Sequence, residues 1–170
     1  MTAYIKKHRR TLVLGVAAIA AAAAIAMVRP HGSTASASSD DGVVRVKSAF
    51  GVLETIDRLK ADIAAKGIMF FSAIDQARLA ADAGIALKPS TLLTFGNPPL
   101  GTQFITANPN AGLDWPVRLL VTQDSDGTVW TVYTDFQWIA RRHGISNRDA
   151  QFKMASDVIA SITASVAGKK

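Results

Sequence analysis

The four residues Gly96-Asn97-Pro98-Pro99 constrain this chain more than any others. Leu92-Leu93-Thr94-Phe95 runs into them with strand preference. Asn97 suits a helix N-cap, where its side-chain oxygen takes a backbone N–H two or three residues on. Pro98 then falls at the first helical position, where the missing N–H costs nothing. A residue before proline is pushed out of the α region, which is the backbone shape a cap needs. Gly96 and Gly101 allow a tight turn or a close approach of backbone to another group. The stretch from Thr91 to Gln103 is therefore a strand, a stiff corner and a helix.

The amino end limits where such a corner works. Residues 1–10 are polar and basic, and Thr11 to Val28 is apolar and alanine-rich. This is an n-region followed by an h-region. Two readings are open: an uncleaved anchor with its amino end in the cytoplasm, or a signal cleaved near Ala37 in Ala35-Ser36-Ala37. Arg9-Arg10 before the apolar run also fits a loose twin-arginine signal, so the export route is open too. Every version makes the remainder extracytoplasmic, periplasmic in a two-membrane cell. Residues 31–42 are rich in Ser, Thr, Ala, Gly and Asp and read as a flexible linker.

Charge has to be read with that leader set aside. The formal net charge is +6, but Lys6, Lys7, Arg9, Arg10 and Arg29 all precede Ser38, and all 13 acidic residues follow it. From Ser38 onward 14 Lys and Arg face 13 Asp and Glu, a net of about +1. Nucleic acid is not an expected partner, because phosphate binding needs clustered cations. There is no cysteine, which excludes disulfides, thiolate metal sites and a Cys nucleophile. His8 and His31 lie before the domain, leaving only His143 inside it. No metal and no cofactor are expected.

Val43 to Lys47 reads as the first strand. Gly51 to Lys66 reads as a helix with Val52, Ile56, Leu59 and Ile63 on one face, supported by Glu54/Arg58, Arg58/Asp62 and Asp62/Lys66 at i,i+4. Ile68 to Phe71 reads as a buried strand, and Asp75 caps a short helix ending at Gly84. A helical turn or two after the corner reaches Ala107, and Asn108 to Gly112 is turn chemistry. Val117–Thr122 and Thr128–Thr134 flank Asp124-Ser125-Asp126-Gly127 as a hairpin. Asp124 to Gly127 also has the opening of a calcium loop, without the remaining ligands. Asp135 caps a helix through His143, and Ser146-Asn147-Arg148-Asp149 resembles a capping box. The final helix carries Phe152, Ala155, Ile159, Ile162 and Val166 as a core-facing stripe. The expected fold class is α+β: a small two-layer domain with a mixed sheet and helices on one face. It comprises residues 43–145, with an amphipathic helix in 146–170 packed on it.

An ordered series of residues gives the chain a familiar look. It runs Leu93-Thr94-Phe95-Gly96-Asn97-Pro98, Gly101-Thr102, Asn108-Pro109 and Gly112-Leu113-Asp114-Trp115-Pro116. Asp124, Asp126-Gly127, Trp130 and Tyr133 continue it. The series resembles the domain-of-unknown-function family 302, most strongly over 77–135 and extending over 43–145. Thr134-Asp135-Phe136 departs from it, since the family has Asn-Asp-Pro there. The resemblance implies a compact α+β domain and a homodimer. It implies no reaction.

The candidate ligand-binding residues are Gly96, Asn97, Pro98, Gly101, Thr102 and Asp114. The corner lies where a strand ends and a helix begins, a place where ligands gather in open sheets. A rigid corner that only fixes packing is the plainer reading. Asp114 suits a general base or a ligand hook, and equally a partner for turn N–H groups. Asp114, Tyr133 and His143 are the candidate catalytic residues, for a hydrolase or isomerase; the plainer role for His143 is a cation at a helix C-terminus. The expected function is a non-enzymatic envelope module, tethered through residues 11–28 or released, that binds a small ligand or an envelope protein. The alternatives are that hydrolase or isomerase and a purely structural homodimer.

Overall fold

A computed structural model describes residues 40–168. The expected signal or anchor, and most of the linker, lie outside the described residues. Among the described residues no helix is long and apolar enough to cross a membrane.

The strands are β1 (Val43–Lys47), β2 (Met69–Asp75), β3 (Ser90–Gly96), β4 (Val117–Gln123) and β5 (Val129–Thr134). The helices are α1 (Val52–Ala65), α2 (Gln76–Asp82), α3 (Pro98–Ala107), α4 (Phe136–Arg142) and α5 (Asp149–Ala164), with a 3₁₀ helix at Pro109–Asp114. The sheet order is β1-β5-β4-β3-β2. Every neighbouring pair is antiparallel, so the expectation of a mixed sheet is corrected. The reason is reach. Seven residues of α2 span about 10 Å, while seven of β2 span about 23 Å, so α2 leaves the chain near the end of β2 and β3 runs back beside it. α1 carries the chain from β1 at one edge to β2 at the other.

Local chemistry ends the helices where the sequence says. Asp75 Oδ1 accepts the Arg78 N–H at 2.9 Å, and Asp135 Oδ1 accepts the Gln137 N–H at 2.6 Å. Gly67, Gly84 and Gly144 follow α1, α2 and α4 with φ of 65, 73 and 59°, the left-handed conformation that favours glycine. Glu54–Arg58 and Asp62–Lys66 form on α1 at 2.8 and 2.7 Å. Arg58 spends its charge on Glu54 and on the Phe50 ring, 3.9 Å from its centroid. The expected capping box before α5 does not form: Arg148 is the N-cap, and no side chain closes it.

One core lies between the sheet and the helices. Leu93 and Phe95 of β3, Leu119 and Val121 of β4 and Val129 of β5 point into it. Leu59 and Ile63 of α1, Phe104 of α3, Phe136 and Ile139 of α4 and Phe152, Ile159 and Ile162 of α5 meet them. Phe104 stacks on Phe152 with ring centroids 4.2 Å apart. The helix in 146–170 thus supplies part of this core.

β2 is an edge strand, not the buried strand that Ile68–Phe71 suggested. Met69 and Phe71 are exposed, and a bulge between Phe70 and Ser72 leaves Phe71 without a partner on β3. On the face away from the core, Ile74, Leu92, Leu120 and Val132 are direct cross-strand neighbours in one row.

Candidate functional site

Asn97 caps α3 as its position predicts: its Oδ1 accepts the Leu100 N–H at 3.3 Å, and Pro98 takes the first helical position. The Asn97 carbonyl accepts the Gly101 N–H at 2.9 Å, so the first turn is closed by backbone as well. This corner forms one wall of a pocket of about 670 Å³. Gly96, Asn97, Leu100, Gly101 and Phe104 line that side. Trp115 and Val117 form the next wall, and α5 faces them with Met154, Ala155, Val158 and Ile159. The size falls within the range of small-molecule sites, and the walls are largely apolar, as such sites are.

The glycines have a steric reason to be glycines. A Cβ on Gly96 would lie 3.0 Å from Trp115 Nε1 and 3.2 Å from its Cε2. A Cβ on Gly101 would overlap the same indole. Trp115 therefore lies flat on backbone at the corner. Its ring meets Phe71 in a T-shaped contact at 5.9 Å between centroids, so the β2 bulge supplies a neighbour for the pocket wall. The Trp115–Pro116 peptide is cis. The indole N–H of Trp115 makes no hydrogen bond among the described residues.

Three of the residues expected to bind a ligand, Gly96, Asn97 and Gly101, line the pocket. Pro98, Thr102 and Asp114 do not. Thr102 turns its hydroxyl back to donate to the Pro98 carbonyl at 2.7 Å. Asp114 ends the 3₁₀ helix with its carboxylate directed elsewhere. It is buried and held by three cationic or donor side chains. Arg118 Nη2 donates to Oδ1 at 2.9 Å. Arg142 Nη1 lies 3.2 and 3.1 Å from the two oxygens. His143 Nε2 is 2.7 Å from Oδ2. The side chains of Asp114 and His143 are 4 and 5% exposed, whereas Arg118 and Arg142 remain about half in solvent. Asn108 Nδ2 donates to the His143 carbonyl at 2.8 Å, tying the start of the 3₁₀ helix to the end of α4.

This arrangement is a clamp more than a reaction centre. Both carboxylate oxygens are engaged, so Asp114 presents no free lone pair toward an opening. Tyr133, the third candidate, makes no side-chain hydrogen bond to either partner. Burial and the nearby Asp135 carboxylate push its phenol above the ordinary value, so it stays a neutral side chain against the core. Asp124, placed by the sequence in the hairpin loop, ties β1 to β5. It accepts from Arg45 at 3.0 Å and from Trp130 Nε1 at 2.8 Å, with the Arg45 guanidinium 4.5 Å from the Trp130 ring centroid.

Sequence reasoning missed Arg118 and Arg142 as partners of Asp114, and Trp115 and α5 as pocket walls. Arg118 follows Asp114 by four residues, which was a usable signal. Arg142 is 28 residues away, and no local pattern joins them.

Residues 44–164 match the family described as Domain of unknown function DUF302. The chain belongs to this family. The match runs through the whole of α5, past the 43–145 over which the resemblance was read. The fold of this DUF302 domain is similar to the crystal structure of an uncharacterized conserved DUF302 protein from Bacillus stearothermophilus. The TM-score is 0.68 at 17% identity, covering 74% of this chain and 98% of that one, a likeness of fold alone. Three curated relatives are similar over 106 residues at 39% identity, 62% of this chain. They are the fluoride-specific ion channels FluC 1 of Brucella suis biovar 1 (strain 1330), FluC 1 of Brucella abortus biovar 1 (strain 9-941) and FluC 2 of Brucella melitensis biotype 1. The DUF302 chain spans 42, 39 and 39% of their lengths.

Proposed function

We propose that this DUF302 chain is a non-enzymatic envelope module that binds a small apolar ligand in the pocket beside Asn97. The single observation that carries this reading is the pocket itself. It has the volume of a ligand site, its walls are mainly aliphatic and aromatic, and two glycines keep Trp115 seated at its corner. The hydrolase or isomerase reading draws support only from the His143–Asp114 contact, and the arginines on the same carboxylate weigh against it.

A place outside the cytoplasm, tethered through residues 11–28 or released near Ala37, is part of the proposal. The basic-then-apolar leader supports it. The Brucella relatives, channel proteins of which this sequence accounts for about two-fifths, support an association with a membrane but not a side of it. A homodimer is also part of it. The aliphatic row Ile74–Leu92–Leu120–Val132 lies on the sheet face that contributes nothing to the core, and a second copy would cover it.

The Bacillus chain, of which this fold covers 98%, supports reading residues 38–170 as a unit that folds on its own. Native mass spectrometry of those residues tests the function. A co-purified small molecule, and dimers that an Asp at Leu120 dissociates, are the expected results. A ligand-free protein that binds no apolar probe, with the Asn97→Ala variant losing only thermal stability, refutes it. Protease accessibility of the full chain in spheroplasts tests the location: digestion without lysis is expected, and protection refutes it.

A further inference from the structure

We infer that the occupant of the pocket is an anionic amphiphile, a carboxylate on an aliphatic or aryl chain. This rests on the pocket reading and adds the polarity of the ligand's head. The polar groups at the pocket wall are unevenly divided. Lys66 and Lys153 are the cationic residues of its lining, and Asp157 is the one acidic residue. Asp157 is already engaged by Lys153 at 2.7 Å. Lys66 is held at 2.7 Å by Asp62, which is not part of the wall.

The uncharged groups lean the same way. The Trp115 indole can only donate, and it has no partner among the described residues. Asn97 spends its oxygen on the Leu100 N–H, which leaves its amide N–H₂ as a donor. The lining thus carries donors on Lys66, Lys153, Trp115 and Asn97, a hydroxyl on Ser161 that donates or accepts, and one carboxylate, on Asp157. A head group rich in acceptors and carrying one negative charge satisfies those donors. An alkylammonium would bring a third cation to a lining of two lysines and one aspartate, and an alcohol, though it can accept from two donors, brings no charge to answer that excess. Beyond these groups the wall is Leu100, Phe104, Met154, Val158 and Ile159, which suits a chain rather than a polar body. Met154 is exposed at the rim, and its flexible thioether adapts to chains of different shape.

The test compares three probes of one chain length, each below its micellar concentration. Dodecanoate, dodecanol and dodecyltrimethylammonium are titrated into residues 38–170 by calorimetry. Dodecanoate is expected to bind about tenfold more tightly than dodecanol, and the ammonium most weakly. The double variant Lys66→Gln/Lys153→Gln is expected to lose that preference and to keep its affinity for dodecanol. Both lysines are ends of i,i+4 pairs outside the apolar core, and the circular dichroism and melting temperature of the variant check that it keeps its fold. Equal binding of dodecanoate and dodecanol, or an unchanged preference in the variant, overturns the anionic head while the pocket reading stands. Binding of none of the three overturns both.

Discussion

Adding one methyl group at Gly101 sets two effects against each other. Gly101 lies inside α3, and alanine there favours the helix by about 1 kcal/mol. A Cβ at that position overlaps the Trp115 indole, however. The methyl is fixed to backbone and cannot rotate away. The ring cannot retreat easily either, because it rests on Gly96 on one side and meets Phe71 at 5.9 Å on another. Overpacking of this kind costs about 1–3 kcal/mol, and this geometry puts it near the upper end. Gly101→Ala is therefore expected to lose about 2 kcal/mol net, a fall of roughly 8 °C in melting temperature for a domain of this size. Urea unfolding followed by circular dichroism measures it without relying on tryptophan emission. The decisive arm is the same substitution in a Trp115→Ala background. There the overlap is gone and only the helical gain is left, so the sign reverses to a stabilisation of about 0.5–1 kcal/mol. A Gly101→Ala protein as stable as the parent, or the same loss in both backgrounds, refutes the account of Trp115 seated on the corner.

Asp114→Asn is expected to cost about 3 kcal/mol by urea unfolding, mostly through the buried His143 contact, because the two arginines stay half solvated; a loss under about 1 kcal/mol refutes the clamp. Tyr133 is the only tyrosine of residues 38–170, so absorbance at 295 nm follows it alone; it is expected to titrate above the ordinary value near 10. The unfolded phenol ionises first, so its contribution is complete below about pH 10 and is lost as pH rises through the folded value; Tyr133→Phe removes that part of the alkaline loss. A chain ending at Ile145 is expected to show no cooperative unfolding, since it lacks Phe152, Ile159 and Ile162 from the core; a sharp transition in that fragment refutes the shared core.

What was legible in the sequence was local. An asparagine before two prolines, an aspartate at a helix start and a glycine at a helix end each act within four residues, and Asn97, Asp75, Asp135 and Gly144 do what their positions imply. The stripe from Phe152 to Val166 was legible because periodicity reports a buried face without naming its partner. The capping box failed because α5 begins at Asp149 with Arg148 at the N-cap, so Ser146 lies two residues too early to close the first turn. Strand direction failed because it depends on the lengths of whole connections, and Ile68–Phe71 looked buried because hydropathy does not distinguish an edge from a centre. The site divided the same way. Gly96, Asn97 and Gly101 announced a corner. The surfaces facing that corner come from α5, some 50 residues on, and from a tryptophan whose seat is visible only in three dimensions.

The irregularity at Phe71 also bears on how copies of this domain can meet. β2 forms one rim of the sheet, and an extra residue there breaks the repeat of its outward amide and carbonyl groups. A foreign strand laid along that rim would fall out of step after two residues, so end-to-end growth of the sheet is blocked on this side. Copies that approach this rim are left with stacking across the broad side of the sheet, so a single misplaced residue turns one border from a template into a stop.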